Sequence, residues 1–332
     1  MNTEQKPIHS GFDETTTANE VIAGRDLNGK VVVVTGGHSG IGLETTRVLA
    51  SVGASIVVGA RDVEKAREAV SQIKDVEVYE LDLVEPDSVH EFARRYRQSF
   101  HQCDILINNA GIMATPPLRN SQGYELQFAT NHLGHFRLTA GLWAELSKSK
   151  ARVVTLSSLG HRFSGIIFDD PNFLHHPYEK WIAYGQSKTA NSLFSVHLDK
   201  VGRELGIRAF AVHPGRIVST NLNRFMSDEE KAKALKSAPT GDPRFVPSFT
   251  KSIAQGAATT TWAATSPQLN GMGGVYCADC DISPLVPDTS GQTNGVRRWA
   301  VDPSMAERLW QLSEQLCGFR WPGSNLRTAQ IA

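Results

Sequence analysis

An excess of charge of either sign is the first thing this 332-residue chain lacks: 34 Lys+Arg balance 34 Asp+Glu, a formal net charge of +0. That removes the electrostatic case for a nucleic-acid partner or an acidic membrane surface. No apolar run approaches the ~20 residues that cross a bilayer, so membrane insertion is not expected. The opening stretch MNTEQKPIHSGFDETTTANE is polar and acidic, with neither a basic start nor an apolar core, and so reads as neither a signal nor a transit peptide. Cysteine is scarce, four in all with two in CADC (277–280), which is too few for a disulfide scaffold; a cytoplasmic protein is the expectation. Ligand frames are missing too. His132 and His135, three apart, lack a nearby carboxylate frame, so packing is their expected role; His161, His175 and His176 are likewise not taken as ligands, CADC lacks a second ligand pair, and no metal is expected.

What is present is alternation. Hydrophobic residues make up 40% and charged ones 20%, the balance of an ordinary globular protein. Strand-like runs at 31–35, 55–60, 76–83, 104–111, 152–158 and 207–215 interleave with helical patterns at 40–52, 62–73, 86–100, inside 122–148 and across 181–204. The runs lack polar alternation, as expected of strands buried on both faces. The fold class predicted is α/β, a Rossmann-type doubly wound parallel sheet in a single domain with a substrate lid. Its limits are an N-terminal arm at 1–26, the catalytic domain at 27–320 with a lid at about 221–250, and a tail at 321–332. Residues 1–20 read as a loosely ordered arm, with a short helix after the threonines at 15–17. Beyond 215 come a polar excursion with one short helix (221–249), a helix at 251–265, a last strand at 273–280 and a closing helix at 302–316.

The first strand, VVVVT, runs into TGGHSGIG (35–42), where four of eight residues are glycine. Glycine weakens both strand ends and helix starts, so bare backbone must be required there. A phosphate docked on the free N–H groups of the helix start is the leading explanation; a tight strand–helix connection is the plain one. Gly36, Gly40 and Gly42 give G-x-x-x-G-x-G, with His38, Ser39 and Ile41 between them. That turn resembles the short-chain dehydrogenase/reductase family, and the resemblance recurs over about residues 27–220. An NAD-preferring site places an acidic residue ~20 residues past the turn, on the ribose hydroxyls. Here the second strand ends at Ala60 and Arg61 follows, so a guanidinium stands where a 2′-phosphate would sit, with His38 as a second donor. NADP(H) is the cofactor expected. The competing reading makes Arg61 a solvated first-turn residue pairing with Glu64 or Asp62, and a two-residue slip would put Asp62 in its place and reverse the preference.

The resemblance implies further cofactor contacts. Asp82 and Leu83 end the third strand at the adenine edge. Asn109, Ala110 and Gly111 of NNAG lie along the ribose. Pro214, Gly215, Ile217, Val218 and Thr220 of HPGRIVSTNL lie at the nicotinamide carboxamide.

Tyr184 and Lys188 in AYGQSKTAN share a helix face if the segment is helical. A phenol with a pKa near ~10 is a poor acid or base at neutral pH, and an ammonium beside it should lower that value. A surface pair is the plain alternative. The family resemblance adds Ser158, which is favoured over Ser157 by its spacing, to bond the substrate oxygen. It adds Asn131 in FATNHLGHF, which kinks its helix and holds a water linked to the lysine. Lys188 would also bind the nicotinamide ribose, and Tyr184 would be proton donor in reduction and base in oxidation.

NHLGHF and SSLGHR are similar to a subgroup with retinol-dehydrogenase-like and WW-domain-oxidoreductase-like members. The expected activity is thus NADP(H)-dependent interconversion of a carbonyl and an alcohol on a small molecule. The lid residues Phe225, Met226, Phe245 and Phe249 point to an apolar one. Trp181, Phe163 and Phe168 either line its pocket or pack the loop 159–180. Alternatives are C=C reduction on the same scaffold and a non-catalytic NADP-sensing regulator, which should have lost one of Asn131, Ser158, Tyr184 or Lys188; none is lost. A homo-oligomer through helix faces is an expectation, as is a C-terminal segment covering one such face.

Overall fold

β-Branched runs with no polar alternation need cover on both faces, and the chain supplies it with helices between almost every pair of strands. A computed structural model describes residues 3–235, 250–288 and 295–322. In chain order the first half comprises α1 (Ala18–Ile22), β1 (Val31–Thr35), α2 (Gly40–Ala50), β2 (Ser55–Ala60), α3 (Val63–Val70), β3 (Val76–Glu80), α4 (Pro86–Ser99) and β4 (Ile105–Asn108). Next come α5 (Leu126–Phe128), a π-helical segment (Ala129–Leu133), α6 (Gly134–Gly141), α7 (Trp143–Ser149), β5 (Arg152–Leu156), α8 (Lys180–Gly202) and β6 (Arg208–His213). The remainder is α9 (Asp228–Leu235), α10 (Ile253–Thr265), β7 (Val275–Ala278), β8 (Asp281–Ile282), β9 (Leu285–Val286), β10 (Val296–Arg297) and α11 (Pro303–Cys317).

One eight-stranded sheet runs β3-β2-β1-β4-β5-β6-β7-β8, parallel except for the β7–β8 pair, and β9 and β10 form a separate parallel pair. The order reverses direction between β1 and β4. At such a switch point the loops leaving neighbouring strands diverge and a crevice opens at their carboxyl ends. Thr35 holds that junction: its Oγ1 accepts the N–H groups of Asn109 and Ala110, both at 2.9 Å, and its carbonyl accepts Asn109 Nδ2 at 2.8 Å.

Three expectations are corrected. The single long helix inside 122–148 is three helices and a π segment. Asn131 leaves the helical ladder's side to bond Ile112, the segment widens so that Gly134 N–H reaches Ala129 O, and Leu142 (φ −104, ψ 9) separates α6 from α7. The last strand stops at Ala278 because Asp279 and Cys280 both take positive φ (53° and 56°) and turn the chain back into β8. The described part of the arm is docked rather than loose. Where the two-residue β8 runs out, the Gln5 carboxamide donates to Tyr276 O (2.8 Å) and Ser283 O (2.7 Å) and accepts Tyr276 N–H (2.9 Å). Asp281 accepts Ile8 N–H and His9 N–H at 2.9 and 3.0 Å. Edge backbone groups need partners, and the arm provides them. The short helix after the threonines is α1, closed by a Thr17–Glu20 capping box.

Of the segment expected to form a lid, residues 221–235 are described and 236–249, with Phe245 and Phe249, lie outside the described residues. Lys180 at the start of α8 pairs with Glu230 of α9, and Met226 is buried while Phe225 is exposed.

The closing helix α11 covers α8, so the anticipated cover over one helix face is present. Trp310 stacks on Phe194 (centroids 5.9 Å, 14°) and meets Phe136 edge-on at 5.0 Å, and Trp321 lies 4.3 Å from Trp310 and 5.3 Å from Trp143. His132, set aside above as packing, bonds Ser313 of α11 at 2.7 Å. Trp310→Ala is therefore expected to cost about 3–5 kcal/mol, the usual range for a buried aromatic truncated to Ala. Urea unfolding should show it as a lower midpoint with an unchanged slope.

Candidate active site

The glycine turn lies at the switch point and contains the backbone strain that glycine permits. Gly36 and Gly40 take φ of +64° and +52°. A Cβ on Gly42 would stand 2.4 Å from Gly36 O and 2.5 Å from Asn109 Nδ2, so only a bare α-carbon fits. Ser39 is the N-cap of α2 yet makes no side-chain capping bond, which leaves the first N–H groups of the helix without that partner. Gly40 faces Thr220, whose Cγ2 would be 3.3 Å from an added Cβ. Ile41 and Ile217 both pack over Gly256 of α10, at 3.3 and 2.8 Å from the same construction. Val218 O accepts Asn223 Nδ2 at 3.4 Å, and Gly215 after Pro214 takes φ +92° against the Lys251 stem. The two ends of the sequence motif are thus brought together across the crevice.

At the end of β2, Arg61 is exposed and makes no ion pair among the described residues. Its proposed competitors are otherwise engaged: Asp62 Oδ1 caps α3 by accepting Lys65 N–H at 3.0 Å, and Glu64 pairs with Arg67 at 2.6 Å. His38 is half-buried, and its Nδ1 has no hydrogen-bond partner among the described residues. Burial first, then the Lys65 charge, lowers its pKa, with Asp62 opposing and Arg61 adding to the fall. Asp82 turns its Oδ1 onto Val84 N–H (3.0 Å), and Leu83 is buried with its carbonyl against Gly134.

The four candidate side chains converge from α8, the π segment and the end of β5. Tyr184 and Lys188 lie one turn apart on α8, 3% and 4% exposed, which excludes the surface-pair reading. Lys188 Nζ donates to Leu156 O at 3.0 Å and lies 5.8 Å from the Tyr184 ring centroid. Asn131 is buried too: its Oδ1 accepts Ile112 N–H (2.8 Å) and its Nδ2 donates to Ile112 O and Ser187 Oγ, both at 2.9 Å. Between Asn131 and Lys188 lies Gly111. A Cβ there would stand 3.1 Å from Asn131 Oδ1 and 3.6 Å from Lys188 Nζ, so glycine keeps that space clear.

The two serines separate. Ser157 is buried and spends its hydroxyl on Lys188 O (2.8 Å), holding α8 to the sheet. Ser158 Oγ accepts Gly160 N–H at 3.0 Å beside Tyr184. Gly160 was not anticipated from sequence, and its role is steric: a Cβ would be 2.6 Å from Tyr184 Cε1. Its signal was a glycine two residues past the serine.

Electrostatics depart from expectation. Burial pushes the Tyr184 phenol up to about 12, with Ser158 pulling it back, and burial draws Lys188 down to about 8. The anticipated lowering of the phenol by Lys188 is not what this arrangement does. The ammonium is committed to Leu156 O, and desolvation outweighs its reach. Beside the phenol stand Trp181 (6.4 Å between centroids) and, against it, Phe163 (6.1 Å). Phe168 belongs instead to a cluster with Leu193 and Leu309, under Arg308.

Two histidines set aside as packing prove to be hydrogen-bonded struts. His135 Nδ1 donates to Asn131 O (2.9 Å) and its Nε2 meets Thr35 Oγ1 (2.9 Å); burial lowers its pKa to about 4. His161 is held in the same way, by Ser158 O at Nδ1 and Arg297 N–H at Nε2. Cys277 and Cys280 are buried free thiols with pKa values pushed up by burial, the second to about 12. No group of His, Cys, Asp or Glu among the described residues could hold a metal ion, and no described helix is long and apolar enough to cross a membrane.

Comparison with known proteins matches residues 30–231 to the family model described as short chain dehydrogenase. A "Probable oxidoreductase" of Streptomyces lividans is 41% identical over 86% of this chain and 97% of its own. Human "WW domain-containing oxidoreductase" is 36% identical over 92% of this chain and 72% of its own, and human "Retinol dehydrogenase 14" 34% identical over 88% and 87%. Among solved structures, an uncharacterized protein from Mycobacterium paratuberculosis superposes with a TM-score of 0.69 at 33% identity, covering 91% of this chain and 98% of that one.

Proposed function

The chain belongs to the short-chain dehydrogenase/reductase family of oxidoreductases, and on that premise we propose that it is an NADP(H)-dependent enzyme interconverting a carbonyl and an alcohol on an apolar small molecule. The observation that carries the reading is the convergence of Tyr184, Lys188, Ser158 and Asn131 about one site, with Gly111 of the NNAG turn between Asn131 and Lys188. A purely dinucleotide-sensing role would leave that assembly without a use.

The residues fit a dinucleotide. The bare α-carbons of Gly36, Gly40 and Gly42 and the uncapped start of α2 would hold the pyrophosphate. Asp82, Leu83, Asn109, Ala110 and Gly111 would flank the adenosine and ribose, and Pro214, Gly215, Ile217, Val218 and Thr220 the nicotinamide end. Arg61 and His38 Nδ1, neither with a partner among the described residues, suit a 2′-phosphate, and Asp62, held in its capping role, is turned to α3. When bound, the cofactor supplies or accepts the hydride.

The chain's own part is proton and charge management. Ser158 Oγ, with one lone pair taken by Gly160 N–H, keeps its proton for a substrate oxygen. Tyr184, protonated at neutral pH because burial raises its pKa, is set as the acid of the reducing direction. Lys188 holds positive charge against that oxygen's developing negative charge, and Asn131 keeps its π segment in register with Ile112. Trp181 and Phe163 offer the substrate an apolar wall.

An NADPH-consumption screen over ketones, aldehydes, quinones and enones tests the proposal and separates C=O from C=C reduction. Tyr184→Phe should lower kcat at least about 100-fold, the usual scale of a lost general acid, with the NADPH Kd unchanged; retained turnover refutes the mechanism. Arg61→Ala should weaken NADPH about 10- to 100-fold and NADH by less than about twofold in fluorescence titrations, the loss of one charge-assisted pair. Equal losses refute the 2′-phosphate role. The charged form of Lys188 prevails below its lowered pKa and is lost as pH rises through about 8. Reduction measured from pH 6 to 10 should therefore fall above that value, and Lys188→Arg, if active, should lose this limb.

A further inference from the structure

The turn that carries the candidate serine is fastened to a part of the chain outside the family match. His161 is buried, and its ring is bonded at both nitrogens to backbone. Nδ1 lies 2.7 Å from Ser158 O, and a carbonyl only accepts, so Nδ1 carries the proton. Nε2 accepts the N–H of Arg297 at 3.2 Å, which requires it to be bare. The two bonds together specify one neutral tautomer, and burial, drawing the pKa to about 3, keeps it uncharged. Tyr276 packs edge-on against the ring at 5.1 Å, leaving no freedom to swing.

We propose that His161 is a positioning residue for Ser158, locking the serine's backbone to the 295–299 segment so that its hydroxyl is held beside Tyr184. Ser158 O accepts both His161 N–H (3.1 Å) and the imidazole N–H, which uses both lone pairs and fixes the peptide plane. That plane begins at the Ser158 α-carbon, and from the same residue Oγ reaches Gly160 N–H one peptide further on. Two further bonds tie the turn to the same segment: Trp299 Nε1 donates to His161 O at 3.0 Å, and Arg162 Nη2 to Gly295 O at 3.2 Å. From the other side Thr189 Oγ1 of α8 approaches two carbonyls of the turn, Ser164 O at 2.7 Å and His161 O at 3.1 Å, and shares its one proton between them. The turn is thus clamped between the helix carrying Tyr184 and a segment more than a hundred residues downstream. A core histidine with only a packing role would need neither bond aimed at the serine.

The catalytic arm of the test rests on the oxidoreductase reading; the structural arm does not. With NADPH and 9,10-phenanthrenequinone as an apolar carbonyl probe, His161→Phe should lower kcat about 10- to 100-fold, the cost of about 1 Å of misplacement, with the NADPH Kd within about twofold. His161→Asn, which keeps a donor for Ser158 O, should recover most of that loss. In the Ser158→Ala background His161→Phe should cost less than about twofold, because its target is already gone. Additive losses, or an Asn variant no better than Phe, overturn the proposal. If the wild type turns over no carbonyl in the panel, the redox reading fails by itself. Crystal structures of the Asn and Phe variants then decide: Ser158 Oγ should keep its Gly160 contact in the first and leave it by about 1 Å or more in the second. An unmoved serine overturns the proposal.

Discussion

Burial of α8, a 23-residue helix rich in polar side chains, is the constraint from which the site's geometry and electrostatics follow. Sheet strands β5 and β6 lie on one side of it and α11 on another, so Tyr184, Gln186, Ser187, Lys188, Thr189, Asn191 and Ser192 are all withdrawn from water. Polar groups so placed need partners, and several of them find these at the ends of neighbouring elements. Leu156 O accepts both Lys188 Nζ and Asn191 Nδ2, Ser157 Oγ bonds Lys188 O, and Gln186 Oε1 accepts Ile167 N–H. Two of these bonds, from Ser157 Oγ to Lys188 O and from Lys188 Nζ to Leu156 O, also fix a residue of the candidate site. The same desolvation raises the phenol and lowers the ammonium, bringing a proton donor and a titratable cation together without an acidic partner.

A second consequence lies at the switch point between β1 and β4. Thr35 Oγ1 receives two backbone N–H groups from the NNAG turn and meets the imidazole of His135, which in turn holds Asn131 O. The chain of contacts runs from the glycine turn to the π segment without a charged group. His161 makes the corresponding connection from Ser158 to the C-terminal segment. Two neutral imidazoles, each donating through Nδ1 to a carbonyl of a site residue, brace the serine and the asparagine from opposite directions. Low pKa values are part of the device, since a protonated ring would lose the acceptor on its far side.

The alternation of strands and helices and the glycine spacing were readable because both are local periodicities: residues a few positions apart report one face or one turn. Tyr184 and Lys188 lie one turn apart on α8, as their spacing implied. Less was readable of the 122–148 region, where Asn131 gives up helical regularity for two bonds to Ile112, a partner no local pattern names. The docked arm was missed for a similar reason. Gln5 is an ordinary polar residue until β8 ends after two residues and leaves Tyr276 backbone groups in need of it. The strands β8 to β10 are too short for any period to be seen.

By itself the sequence determined the order of the longer elements, the bare turn before α2, the basic residue after β2 and the Tyr184–Lys188 pair, all of which depend on residue type and short spacing; Ser158 and Asn131 entered only through the family resemblance. Tertiary structure decided which of two adjacent serines faces the phenol, that Asp62 caps α3, and that Tyr184 is pushed up rather than down. It also decided that two histidines are struts. Those outcomes depend on burial and on hydrogen bonds such as that between His161 and Arg297, 136 positions apart, where desolvation and geometry outweigh anything the neighbouring residues prefer.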